Sequence, residues 1–291
     1  MSNDTLAWAL GRLAERRRVV IASVIQTSGS VPGKVGAKLA IAEGKEGFHG
    51  TVGGAGLEMK VLLRCKELLD EYWAPYGEMH TYGLNKGAKG YEVQPLDSLC
   101  GGRVTLSIEV IMPSPHVLMM GGGHCANALS QTINSLNWNH SVTDSRIEYC
   151  NKDSFPQATE LIPSSVAEFM ASESYDSITR FSDILLLGHD WSEDQDRLLG
   201  LLEICQQNNC LPDGKAFPRI GVIGSRSKWN SFCKSALAQE IKQDLLDSVV
   251  CPIGINIGAE SPEEIAIAVT AQILSLSKGV SPEDKNWRQS S

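Results

Sequence analysis

Between Val117 and Asp144 the chain reads VLMMGGGHCANALSQTINSLNWNHSVTD, and this stretch limits the possible folds more than any other. A short apolar run, Val117 to Met120, ends in Gly121-Gly122-Gly123-His124-Cys125-Ala126, which fits the G-x-G-x-x-G/A pattern of a dinucleotide-binding βαβ unit. Gly121 suits the tight turn, Gly123 lets backbone N–H groups approach a pyrophosphate, and Ala126 lets helix and strand pack closely. Ala126, Leu129, Ile133 and Leu136 then share one helical face. His140 to Asp144 is predicted to be the next strand, ending in a carboxylate about 20 residues past the glycines, where such units hold a ribose. The pattern speaks for a fold before it speaks for a ligand.

Further along, Asp183 to Leu187 is a continuous apolar strand that ends in Gly188-His189-Asp190, and Arg219 to Ile223 is another that ends in Gly224-Ser225-Arg226-Ser227-Lys228. Strands buried on both faces and alternating with helices predict a parallel sheet, whose ligand crevice lies at the carboxyl ends of the strands. The three glycine turns should therefore lie side by side. Arg226 and Lys228 at a helix start make an anion site, since the dipole and the side chains share a sign. His124 could donate to a phosphate from the helix start or serve as a capping or packing histidine. His189 and Asp190 could act as a pair, although nothing places a nucleophile beside them. The last helix is signed by Ser261 as cap, Pro262 in the first turn, and Glu263 and Glu264 near the positive dipole end, with Ile265, Val269 and Ile273 on its core face.

The first half reads differently. Asn3 or Asp4 can cap a helix in which Leu6, Leu10 and Leu13 share a face, and Arg16-Arg17-Arg18 is most simply its solvated end. The strand Val19 to Gln26 runs into a loop of glycines and hydroxyls that carries Lys34. The strand Ala37 to Ala42 is followed by a second glycine loop, Gly50 to Gly56, which opens a helix with Leu57, Val61, Leu68 and Tyr72 on one side. The two loops are read either as backbone amides gathered around an anion or as surface turns. After Leu99-Cys100-Gly101-Gly102 comes the strand Val104 to Ile111, and Pro113 and Pro115 then bar both a helix and a central strand. The organisation expected is a mixed α/β domain over 1–112, a Rossmann-like parallel-sheet domain over 116–280 and a polar tail over 281–291.

A net charge of −8 argues against nucleic acid or an anionic membrane as the main partner, since both demand a basic field. The N-terminus carries acid and amide where a secretory signal would carry base, and no apolar run approaches about 18 residues, so a cytoplasmic protein is expected. There the eight cysteines would be free thiols. Cys205 lies on an apolar stripe with Leu198 and Leu202, and it reads, with Cys210 and Cys65, as structural; zinc would want more ligands at short spacing.

The order of VIQTSGSVPGKVGAKLAI, GTVGGAGLE, LCGGRVTLSIE, VLMMGGGHCANAL, VTDSR, LLLGHDWSEDQDRLL, GVIGSRSK and CPIGINIGAESPEEIA resembles the XdhC/CoxI family, the xanthine dehydrogenase accessory factors, nearly end to end. The resemblance implies a maturation protein that binds molybdenum cofactor (molybdopterin), protects it while its terminal sulfur is installed, and hands it to an apo molybdenum hydroxylase of the xanthine dehydrogenase type. A cysteine desulfurase as a further partner and a homodimer are implied as well. Members typically carry arginine directly after the first loop's proline, where this chain has Gly33 and then Lys34, and often cysteine in GG-x-C-x-E, where it has Gly56 ahead of Glu58. Cys100 of LCGG is present, and a thiolate there is a sensible soft ligand for a thiophilic metal. Cofactor binding is accordingly assigned to Lys34, Glu58, Cys100, Gly121, Gly123, His124, Asp144, His189, Asp190, Ser225, Arg226 and Lys228, with Cys100 toward the metal. A carrier needs no proton-transfer machinery, and no catalytic residue is assigned. The other reading is an NAD(P)-dependent oxidoreductase, for which Asp144 would contact the ribose and His189 would be the acid or base.

Overall fold

A computed structural model describes residues 2–44, 47–84, 93–95 and 101–281, and the chain divides into two units, Met1–Pro113 and Ser114–Ser291. The first runs α1 (Ser2–Ala14), β1 (Val19–Gly29), β2 (Lys38–Ala42), β3 (Phe48–Gly50), α2 (Ala55–Glu71), β4 (Tyr76–Gly83), β5 (Val93–Pro95) and β6 (Gly102–Ile111). Its sheet has the order β3-β2-β1-β6-β4-β5, antiparallel throughout except between β4 and β5. β1 outruns its predicted end because β6 pairs with it as far as Gly29 opposite Gly102, past a register shift between Val24 and Gln26. The apolar side of α2, Leu57, Val61, Cys65 and Leu68, is buried with Val20, Ala22, Leu106 and Ile108 of the strands.

Two expectations for this unit change. Leu6 and Leu10 of α1 remain 39% and 66% exposed, because the helix buries its small residues Thr5 and Ala9 instead, with Ala9 packed among Ala40 and Ala42. Arg18 is no solvated helix end. It is buried, bidentate to Glu43 at 3.1 and 2.9 Å, and it donates to the Leu69 and Tyr72 carbonyls at 2.7 and 2.6 Å while stacking on Trp73. A cation is thus placed at the negative end of α2.

The second unit runs β7 (His116–Met120), α3 (His124–Ser135), β8 (Asn139–Asp144), β9 (Glu160–Pro163), α4 (Val166–Ser172), α5 (Tyr175–Ile178), β10 (Asp183–Leu186), α6 (Trp191–Gln207), β11 (Arg219–Val222), α7 (Arg226–Ala238), α8 (Gln243–Asp247) and α9 (Pro262–Lys278). All strand pairs are parallel and the order is β11-β10-β7-β8-β9. The strand period of two sorts the core: Leu118 and Met120 of β7 join α4, α6 and α7 on one face, while Val117 and Met119 join α3 and α9 on the other. The chain leaves β7 toward β8 and β9, then returns to its other side for β10 and β11, so the switch point of the sheet lies between β7 and β10. α9 begins as the sequence signals, with a Ser261–Glu264 capping box and Pro262 in its first turn.

Candidate functional site

At the switch point, Gly121, Gly188 and Ile223-Gly224 end three neighbouring parallel strands, so the predicted turns do share one edge of the sheet. Their glycines differ in what demands them. A Cβ on Gly121 would sit 2.7 Å from the Gly188 nitrogen, and Gly121 has φ +116°. A Cβ on Gly122 would sit 1.8 Å from the Tyr149 carbonyl oxygen. Gly123 has an ordinary φ of −74° and no atom within 4 Å of where its Cβ would be, so neither backbone conformation nor packing requires glycine there. α3 begins at that glycine with no side-chain cap and no acid in its first turn, so among the described residues its first N–H groups have no side-chain acceptor, and His124 there is exposed.

The turns are tied together by a carboxylate to which the sequence reading gave no role. Asp194 of α6 is fully buried; its Oδ1 accepts from the Gly188 N–H at 3.2 Å and Arg197 Nη1 at 3.1 Å, and its Oδ2 accepts from Lys228 Nζ at 2.7 Å. Arg197 Nη2 reaches Glu193 at 3.0 Å, and Glu193 accepts from the Ser145 hydroxyl at 2.8 Å. Lys228, read from sequence as a counter-charge for a ligand, therefore has its charge opposed within the fold, whereas Arg226 and Ser225 are exposed at the start of α7. Asp194 was legible in principle: one turn back along the stripe Leu198, Leu202, Cys205 falls on a carboxylate, and a buried carboxylate must be paired.

Asp190 is not paired with His189 by any hydrogen bond among the described residues. It caps α6, accepting from the Ser192 and Glu193 N–H groups at 2.8 and 3.0 Å, and the Glu193 bond above all holds its carboxyl below the usual carboxylate range. His189 is exposed.

Asp144 ends β8 as predicted, but its two oxygens are fully engaged. Oδ1 accepts from Arg146 N and Nε, both at 2.9 Å, and Oδ2 accepts from Gly122 N and Arg146 Nη2, both at 2.8 Å. Burial opposes the charge here. The Arg146 and Gly122 hydrogen bonds outweigh it and bring the carboxyl down to about 2. A carboxylate offers roughly four lone-pair positions, so a ribose diol would have to displace Arg146 to gain a bond. Arg146 is further held with its guanidinium 4.0 Å from the centre of the Tyr149 ring.

In the first unit, the glycine loops pack on each other: a Cβ on Gly33 would lie 2.2 Å from the Val52 carbonyl oxygen, and one on Gly53 would lie 2.6 Å from Gly33. Thr51 donates to Glu58 and accepts from the Gly53 N–H at 3.1 Å, so Glu58 clasps its own loop, while Lys34 is exposed. Gln26, Thr27, Ser28, Thr81, Arg103 and Thr105 line a polar cavity of about 320 Å³ nearby. Cys100 lies outside the described residues. Burial pushes all seven described thiols up, Cys65 to about 12 and Cys251 to about 11, so none of them is a ready thiolate. Among the described residues no cluster of His, Cys, Asp and Glu could hold a metal, and no helix is long and apolar enough to cross a membrane.

A model of the XdhC Rossmann domain matches residues 117–273, and one of the XdhC and CoxI family matches residues 12–83. An uncharacterised protein of Escherichia coli (strain K12), YqeB, is 27% identical over 87% of this chain and 42% of its own length. A probable xanthine dehydrogenase subunit of Bacillus subtilis (strain 168) is 30% identical over 60% of this chain and 46% of its own length. The chain thus spans less than half the length of either relative. A solved structure, a xanthine dehydrogenase from Bacillus halodurans, is 19% identical with a TM-score of 0.47, covering 96% of this chain and 98% of the other.

Proposed function

The chain belongs to the XdhC and CoxI family, and from that premise we propose that it is a maturation factor that holds molybdenum cofactor and delivers it to a hydroxylase of the xanthine dehydrogenase type. The observation that carries the reading is the contrast within one turn. Gly123 leaves the start of α3 open to an anion for no reason internal to the fold, while the ribose-binding carboxylate beside it is saturated by Arg146. A site that accepts a phosphate but has closed its ribose position suits a phosphorylated cofactor other than a dinucleotide. The same contrast counts against the NAD(P)-dependent alternative, as does the absence of any hydrogen-bonded partner for His189 among the described residues.

In this reading the N–H groups at the start of α3, together with His124, Ser225 and Arg226, hold the phosphate. Lys228 and Asp194 keep the two turns in register rather than touching the ligand. The molybdenum centre would supply a thiophilic metal, and the thiol proposed for it is Cys100. The relative named for xanthine dehydrogenase supports the client class.

Gly122 and Gly123 provide the test. Gly122→Ala should destabilise the protein, because its Cβ collides with the Tyr149 carbonyl. Gly123→Ala should leave the unfolding midpoint unchanged and yet lower the pterin and molybdenum that copurify. A Gly123→Ala protein that retains both as the parent does would reject the phosphate position.

A further inference from the structure

Beside the β11 turn the second unit has a cavity of about 590 Å³, formed by Ile223 and Gly224, the loop from Pro252 to Ala259, and Ile265 and Ala268 of α9. This lies in the range of small-ligand sites, about 300–1,000 Å³. No charged side chain lines it. Its walls are largely branched aliphatic residues, and Ile257 at the mouth is 53% exposed, a large apolar surface left to water. The exposed Asn256 is its one polar side chain, and among the described residues nothing hydrogen-bonds to that carboxamide. The loop itself is anchored: the Ile253 N–H donates to Val222, that of Gly254 to the Gln272 side chain, and that of Ile255 to Ala268. The cavity is therefore a slot held along one wall, Ile253 to Ile255.

We propose that this slot seats the ring of a pterin-class ligand, an inference that rests on the cofactor reading above and adds where the uncharged part lies. A flat, neutral heterocycle is what an uncharged apolar slot can take without stranding a charge. The amino-oxo edge of a pterin carries both donors and an acceptor, and a carboxamide offers an acceptor and two donors in one plane, so Asn256 can pair with that edge in a bidentate fashion. Gly224 belongs both to the slot and to the turn that opens α7. A ligand with its ring in the slot can therefore extend an anionic arm from that shared residue toward Ser225 and Arg226.

The test titrates the full-length protein with pterin-6-carboxylate, following the probe's fluorescence, and with adenosine for comparison. Ile257→Glu and Asn256→Ala alter exposed side chains, so both variants should keep the parent's circular dichroism spectrum and melting temperature. The parent should bind the pterin and bind adenosine at least tenfold more weakly. Each variant should bind the pterin about tenfold more weakly than the parent does. If the parent binds the pterin and both variants match it, the slot is the wrong place and the cofactor reading survives. If adenosine binds as tightly as the pterin, the assignment to pterins falls. If the parent binds no pterin at all, the slot proposal falls together with the reading on which it rests.

Discussion

Replacing Asp194 with alanine removes the one acceptor shared by the Gly188 N–H, Arg197 and Lys228, and the cost can be worked from their burial. Arg197 is 3% exposed and Lys228 13% exposed in their side chains, so Lys228 would be left without its counter-charge, and Arg197 with Glu193 alone, in a site that water scarcely reaches. Stripping a partner from a buried ion pair costs about 3–5 kcal/mol, and an orphaned N–H about 1–3 more. With partial relaxation, Asp194→Ala should lose about 4 kcal/mol, a large part of a typical 5–15 kcal/mol stability. Lys228→Met keeps the aliphatic stem against Gly224 and leaves Asp194 its Arg197 partner, so it should cost only about 1–2 kcal/mol. The decisive quantity is the coupling in a double-mutant cycle of Asp194→Asn and Lys228→Met, expected at about 1–2 kcal/mol. Urea unfolding can follow it through Trp191, which meets Phe232 of α7 edge-on at 6.0 Å. Additivity within about 0.3 kcal/mol, or a cost below about 1 kcal/mol for Asp194→Ala, would mean that Lys228 is not committed to the fold and is free for a ligand.

Three further outcomes are expected. Among the described residues neither ring nitrogen of buried His140 has a hydrogen-bond partner, and burial, aided by Lys152, lowers its pKa. Below about pH 6.5 the unfolded chain then takes up a proton that the folded chain refuses, so stability should fall with pH by up to about 1.4 kcal/mol per unit until the lowered pKa is reached. His140→Leu should flatten that stretch of the stability–pH curve; an unchanged slope would refute the assignment. Asp144, at about 2 in the fold against about 3.9 unfolded, should contribute about 2.5 kcal/mol that is present above pH 4 and lost as pH falls toward 2. Asp144→Asn should lose that term at neutral pH, as denaturant midpoints measured across pH will show. Gly33→Ala should cost about 1–3 kcal/mol through the Val52 carbonyl, with Lys34→Ala near neutral, read as melting temperatures.

How much of this was legible in the sequence depended on whether the signal was local. The switch-point turns were readable because a glycine run after an apolar strand has few realisations, and α9 was readable from Ser261, Pro262 and Glu264 alone. β4 and β9 were not, because Tyr76–Gly83 and Glu160–Pro163 carry little apolar alternation and owe their strand form to β6 and β8. The roles of charged residues were the least legible. Arg18, Asp144 and Lys228 each looked available in sequence, and each has partners that only the fold supplies: Glu43 and the end of α2, Arg146 and Gly122, and Asp194. Gly33 and Gly53 were open in sequence to two readings, anion-binding amides or surface turns, and what the structure adds is that their loops pack on each other, a Cβ on Gly53 falling 2.6 Å from Gly33.

The central claim is that the chain carries and delivers a cofactor. Its most direct test is transfer: the protein purified without oxygen from cells making molybdenum cofactor, then mixed with an apo molybdenum hydroxylase. Pterin and molybdenum should leave the carrier and hydroxylase activity should appear in proportion, with a loss of both in Gly123→Ala and of metal retention in Cys100→Ser. A preparation that holds neither pterin nor molybdenum, binds a nicotinamide nucleotide and activates nothing would contradict it.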